Sequence, residues 1–138
     1  MPRSAALLLA AAAMTVALAG CGNSDEQQVR DTLGVFGQAT ARHDYQTLCD
    51  RVFATDLVHR VEAIGLPCEE AMRIALQSLH KPTLSVRSVK VTGVNAYASV
   101  RTAALGQKPS DDTIQLHKDH GVWRVSSLAG TPVPTPTL

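Results

Sequence analysis

The chain has 138 residues, 45% of them hydrophobic and 18% charged, which suits one domain of ordinary size rather than two. Thirteen Lys and Arg stand against twelve Asp and Glu, and no run of basic residues occurs. That balance excludes a nucleic-acid binder held by phosphate contacts.

Residues 1–20 read as an export leader. Arg3 supplies a positive start, and Ala5–Gly20 is an apolar run too short to span a bilayer comfortably. The run closes in Leu18-Ala19-Gly20-Cys21, which resembles a bacterial lipobox, the signal for cleavage just before a lipidated cysteine. On this reading the mature chain begins at Cys21. It carries a diacylglycerol anchor with palmitate-type acyl chains and sits on the extracytoplasmic side of the cell membrane. An uncleaved anchor, or a plain signal peptide cut elsewhere, is the alternative. Removing Arg3 with the leader leaves equal numbers of positive and negative residues.

Three cysteines are an odd number for an exported protein. Lipidation of Cys21 resolves the arithmetic, because Cys49 and Cys68 are then left as a pair in an oxidising compartment. Two buried thiols are the plain alternative. A metal site using both cysteines with His59 or His80 is disfavoured, since there is no Cys-x-x-Cys and no regular ligand spacing.

Residues 21–25 form the lipidated cysteine and a short polar tether. Ser24 with Gln27 makes a capping box, and Asp25 and Glu26 suit a first helical turn. The first helix runs to about Arg42 with Val29, Leu33, Phe36 and Ala39 on one face. Gly34 and Gly37 weaken it by about 1 kcal/mol each relative to Ala. Either they permit close packing against another element or the helix tolerates them. Asp44 caps a second helix, in which Tyr45, Leu48, Cys49, Val52 and Phe53 form a core-facing stripe. Thr55 opens a third, short helix carrying Leu57, Val58, Val61 and Ile64, and Gly65 ends it. A fourth follows Pro67, with Glu69 and Glu70 in its first turn and His80 and Lys81 in its last. Pro82 stops it. Its buried face is Cys68, Met72, Ala75, Leu76 and Leu79.

The period then changes from helical to two. Thr83–Thr92 is a strand whose apolar phase slips between Leu84, Val86 and Val89, Val91, which places a bulge near Arg87-Ser88. Gly93 turns the chain into a half-buried strand with Ala96, Ala98, Val100 and Thr102 on one face. Residues 106–111 read as a polar loop. Thr113–His117 is a third strand with Ile114 and Leu116 inward. Asp119-His120-Gly121 is a hairpin turn, and Val122–Leu128 is the last strand. The tail 131–138 is Pro/Thr-rich, of the composition that stays extended or disordered. Helices first and neighbouring strands second give an α+β class, N-terminal helices packed on an antiparallel sheet over residues 26–130.

The long first helix, the Asp44-Tyr45-Gln46-Thr47-Leu48-Cys49-Asp50 stretch, the helical pair and the closing Gly121-Val122-Trp123-Arg124-Val125 hairpin resemble the nuclear transport factor 2-like superfamily. Small actinobacterial lipoproteins of that superfamily are the nearest match, and an Ala-rich chain with nine Arg to four Lys fits a GC-rich genome. The resemblance spans about residues 26–129. It implies a curved antiparallel sheet around a long helix, a cone with a pocket at its wide end. It also implies that function is not settled by fold, since enzymes, small-molecule binders and interaction domains share it. Members of the fold often dimerise through the sheet, so a homodimer is one expectation. The isomerase-like enzymes place a pocket Tyr on the first helix; this chain has Phe36 there. The strand positions read as inward hold only Ala98, Val100, Ile114 and Leu116.

No acid/base pair facing a pocket is visible, so catalysis is the less favoured reading. Asp44, Tyr45 and His59 are the weak catalytic candidates. His43-Asp44 resembles an acid/base pair, yet Asp44 is explained as a helix cap and His43 as the end of the preceding helix. His117 and His120 flank a hairpin turn, where a weak metal contact or an acid response is conceivable but an exposed histidine needs neither. Trp123 reads as a packing anchor. Arg87 and Arg101 read either as neighbours on a polar sheet face able to receive an anion or, the commoner case, as solvated charges on an edge strand. The expected role is a membrane-anchored binding or interaction module for an apolar small molecule or an envelope protein, with no cofactor, no resident metal and no nucleic acid. The alternative is an isomerase, dehydratase or cyclase with an acid/base residue in the cone.

Overall fold

A computed structural model describes residues 24–128 of the chain. The expected leader, Cys21 and the Pro/Thr-rich tail all lie outside the described residues, as do Ala129 and Gly130 at the end of the expected domain.

Helix α1 (Asp25–Arg42) starts where the capping residues place it: the Ser24 hydroxyl accepts the Gln27 N–H. His43 ends it in the left-handed region at φ 57°, its N–H bonded back to the last turn. Val29 and Leu33 are fully buried and Ala39 nearly so, while Phe36 is half-buried. Asp44 then caps α2 (Tyr45–Thr47), its carboxylate accepting the Thr47 N–H and hydroxyl.

The second helix differs from expectation. After one α-helical turn the backbone widens into a π-helical segment, Leu48–Val52, closed by Phe53 N–H donating to the Leu48 carbonyl. Phe53 has already left the helix in an extended conformation. Its side chain stays buried, and residues 53–54 run beside the last strand. Phe53 makes a parallel bridge to Val125, and Ala54 N–H donates to the Val125 carbonyl.

Helix α3 (Thr55–Glu62) buries Leu57, with Val58 and Val61 half-buried; Ile64 falls beyond it and is 70% exposed, against expectation. Helix α4 (Cys68–Leu76) is shorter than read. His80 and Lys81 are not its last turn, because the chain unwinds after Leu76 and the His80 carbonyl accepts the Leu105 N–H from the β2–β3 connection. On its buried face Ala71 replaces Ala75, which is exposed.

Four strands, β1 (Thr83–Thr92), β2 (Asn95–Ala103), β3 (Ser110–Asp119) and β4 (Val122–Ser127), form one antiparallel sheet in sequence order. The bulge falls where the apolar phase slips: Val86 pairs with Val100 and Ser88 with Ser99, leaving Arg87 unpaired. Both turns at one end are two-residue hairpins. Gly93 (φ 59°) takes the first central position of one, and His120 (φ 47°) and Gly121 (φ 78°) take both central positions of the other. β3 begins three residues earlier than expected. Its polar start is held by side chains: Arg101 pairs with Asp111 at 2.9 Å, and the Thr102 hydroxyl contacts Ser110 and Asp112.

The core lies between α1 and the sheet. Ala96, Ala98, Val100, Ile114, Leu116, Trp123 and Val125 face the helices and are 4% exposed or less. α1 packs against β1 and β4, and Trp123 of β4 is the largest side chain in that core. Three hydrogen bonds tie the start of α1 to the far strands. Asp25 accepts from Lys118 Nζ at 2.7 Å and Trp123 Nε1 at 3.0 Å, and the Thr32 hydroxyl donates to the Trp123 carbonyl at 3.1 Å.

Candidate functional site

Toward the C-terminal half of α1 the helix passes close to β1, Gly37 facing Leu84, and a cavity lies beside that contact. Antiparallel order puts the Gly93 and His120 turns at the end that holds Asp25, and the β2–β3 connection at the opposite end. At that opposite end a cavity of about 250 Å³ lies between Phe36, Gly37 and Thr40 of α1, Met72 and Leu76 of α4, and Leu84 and Thr102 of the sheet. Leu79, Pro82, Ala104, Gln107, Lys108 and Leu128 complete its rim. An apolar cavity of about 150 Å³ is enough for benzene, so this one has room for a larger ring or a branched chain.

The local sequence explains the opening. Gly37 offers no side chain where Leu84 approaches; a Cβ there would stand 3.5 Å from the Leu84 Cβ, an ordinary contact. Gly34 faces open space, so only Gly37 meets another element. The unwound stretch after Leu76 brings Leu79 and Pro82 across the mouth.

The cavity's chemistry is plain. Lys108 is the one ionisable side chain among the described residues that line it. Thr40 bonds its own helix through the Phe36 carbonyl, and Thr102 is engaged with Ser110 and Asp112. The lining therefore offers shape and apolar surface, with one cation at the rim.

Asp44, Tyr45 and His59 are elsewhere. Asp44 is held below the ordinary carboxylate range chiefly by the Thr47 N–H and then by the Thr47 hydroxyl, as a helix cap is. The Tyr45 ring stacks on His43, with centroids 5.9 Å apart, and His59 is exposed on α3. None of the three lines the cavity. His117 Nδ1 contacts Asn95 Oδ1 at 3.1 Å, and His120 Nδ1 contacts Asp119 at 2.7 Å. Arg101 is committed to Asp111, and the bulge removes Arg87 from its register, so the two do not form the anion pair that the pattern suggested. Among the described residues no group of three or more His, Cys, Asp or Glu stands close enough to hold a metal ion. No described helix is long and apolar enough to cross a membrane.

Cys49 and Cys68 are bonded, with Sγ–Sγ 2.00 Å and Cα–Cα 6.0 Å. The bond fixes the first residue of α4 to the π-helical segment, and α4 carries Met72 and Leu76 to the cavity wall. Sequence reading marked Gly37 only for close packing and missed Thr40 and Lys108 as cavity residues. Lys108 lies in a polar loop with no pattern of its own, and only the fold brings it to an apolar mouth.

No protein-family model and no curated protein sequence matches the chain. Solved structures do match. A nuclear transport factor 2-like protein of unknown function from Shewanella baltica is 15% identical, with a TM-score of 0.54 over 77% of this chain and 94% of that one. One from Silicibacter pomeroyi, also of unknown function, is 18% identical, with a TM-score of 0.51 over 72% and 87%. A de novo designed protein of the same fold is 12% identical, with a TM-score of 0.52 over 77% and 87%. At these identities the likeness establishes the fold, and the chain has the nuclear transport factor 2-like architecture.

Proposed function

We propose that the protein is a membrane-anchored extracytoplasmic lipoprotein whose domain holds an apolar small molecule without transforming it. The observation that carries this reading is the lining of the cavity. Aliphatic and aromatic side chains dominate it, with threonine, serine and glutamine among them, and Lys108 at its rim is the one ionisable side chain among the described residues that line it. A lysine alone supplies neither the paired acid and base nor the oriented nucleophile that isomerase, dehydratase or cyclase chemistry needs. The lipobox-like Leu18-Ala19-Gly20-Cys21 supports the anchor, through lipidation of Cys21 and attachment to the outer side of the cell membrane.

The test is native, non-reducing mass spectrometry of residues 22–138 made by a secretory route. An apolar adduct that survives purification is the expected result, and its identity names the ligand class. A domain that stays empty when offered small apolar compounds defeats the reading. It transfers the role to an envelope protein partner, and the same spectrum reports a homodimer directly. Turnover of any bound compound would restore the enzyme alternative. The spectrum also shows the two-hydrogen deficit of the Cys49–Cys68 bond.

A further inference from the structure

The two ends of the domain differ in what they show to solvent. Val94 and Val122, both about half exposed, project from the two hairpin turns at one end. These turns converge on the start of α1. The Lys118 N–H donates to the Val94 carbonyl, the Lys118 ammonium bonds Asp25, and Trp123, the neighbour of Val122, also bonds Asp25. Exposed Lys90 pairs in register with half-buried Tyr97 near the same end. Of the carboxylates there, Asp25 is bonded to Lys118, Glu26 to Arg30 and Asp119 to the His120 ring, and Asp50 lines the same recess as Val122.

Only three residues separate Cys21 from Asp25. Four residue steps reach at most about 14 Å. From Asp25, α1 carries the chain away: Phe36 at the cavity lies about 16 Å further along the helix axis.

We propose that the end bearing Val94 and Val122 is a bilayer-docking surface, and that the cavity consequently opens on the side remote from the membrane. This rests on the reading of Cys21 as the lipidated residue. Two apolar turn tips, a nearby lysine and an aromatic ring are the side chains that settle at a membrane–water interface. The anchor brings this end, and no other, within reach of it. A ligand then enters and leaves from the aqueous side, and the occupant is delivered to or taken from a soluble or opposing partner rather than drawn directly from the lipid leaflet beneath.

The experiment uses the full-length lipidated protein in vesicles of phosphatidylethanolamine and phosphatidylglycerol carrying a chain-attached quencher. A fluorophore is placed in turn through Val94→Cys, Val122→Cys and Leu105→Cys, the last at the cavity end and 66% exposed. All three positions are at the surface, and an unchanged melting temperature confirms that each labelled protein is folded. The expected result is severalfold stronger quenching at 94 and 122 than at 105. Quenching that is equal, or strongest at 105, overturns the docking surface. So does a protein that floats with the vesicles while all three labels stay bright. A protein that does not float, and whose mass lacks a diacylglycerol, removes the anchor reading and this inference together.

Discussion

Val29 and Leu33 belong to one packed core with Trp123 and Val125 and are fully shielded, whereas one and two turns later Phe36 and Thr40 look across a cavity toward Leu84 and Thr102. Helix and sheet are the same at both places; the side chains differ. Near Asp25 an indole fills the gap and donates to the helix, so the layer is both filled and tied. At the far end Gly37, Ala103 and Ala104 contribute almost no volume, and the wall is instead α4, held from outside by the Cys49–Cys68 bond. One helix-on-sheet layer thus yields a sealed end and a hollow end without any break in secondary structure. At the hollow end the wall helix α4 is cross-linked through its first residue to the π-helical segment.

Four variants probe that contrast. Trp123→Ala strikes the sealed end and should have the largest effect. It removes a side chain 1% exposed and leaves Asp25 without one of its donors, a loss of about 3–5 kcal/mol in denaturant unfolding. An unfolding midpoint close to that of the parent would mean that the sealed end is not the stability centre. Replacing both Cys49 and Cys68 by Ser opens a loop with a sequence separation of 19 and should cost about 3 kcal/mol. It should also weaken uptake of an apolar probe, because α4 loses its tether; loss of stability with unchanged uptake would separate the bond from the wall.

A matched pair of insertions sharpens the comparison. Ala96→Met overfills a site with no exposed surface and should destabilise by about 1–3 kcal/mol. Gly37→Met sends its chain toward the hollow and should change stability by less than about 1 kcal/mol, since helix propensity improves at the same time. It should nonetheless abolish probe binding. Equal penalties for the two would show that the hollow end is packed after all.

The smallest effect is a response to acid. Hydrogen bonds from Lys118 first, and from Trp123 second, hold the Asp25 carboxyl below its ordinary value of 3.8. A carboxylate with a lowered folded-state pKa stabilises above its unfolded value, and that contribution is lost as the pH falls through the lowered one. Melting temperature should therefore fall as the pH drops below about 4, and less steeply in Asp25→Asn. Asp44 and Glu70, also lowered by the bonds they accept from Thr47 and Arg73, keep the slope of that variant above zero. Superimposable pH profiles would remove Asp25 from the clasp.

Much of this was readable from the chain because the signals were local. Ser24 and Asp44 cap helices where their side chains say they should, and the slip from Val86 to Val89 marks the bulge. Cysteine arithmetic named Cys49 and Cys68. The departures lie where distant contacts override local pattern. Leu48–Val52 has ordinary α-helical spacing, and nothing in it announces the wider turn that lets residues 53–54 reach Val125. Residues 77–81 continue a helical pattern that unwinds to let His80 meet Leu105. Ser110 and Asp111 looked like loop because the strand pairing at the start of β3 rests on polar bonds to Arg101 and Thr102 rather than on apolar alternation. The cavity itself is an arrangement of absences, and Gly37, Ala103 and Ala104, far apart in the chain, leave no periodic trace.

The Phe53–Val125 bridge has a consequence for the behaviour of many copies together. A four-stranded sheet has two lateral margins where a foreign strand can add. Residues 53–54 occupy the margin of β4, so a newcomer finds the Val125 carbonyl already taken. The other margin, β1, is interrupted at Arg87 and carries Lys90, so a straight incoming strand meets a kink and a charge. Molecules crowded at high density are thereby steered away from strand-by-strand polymerisation.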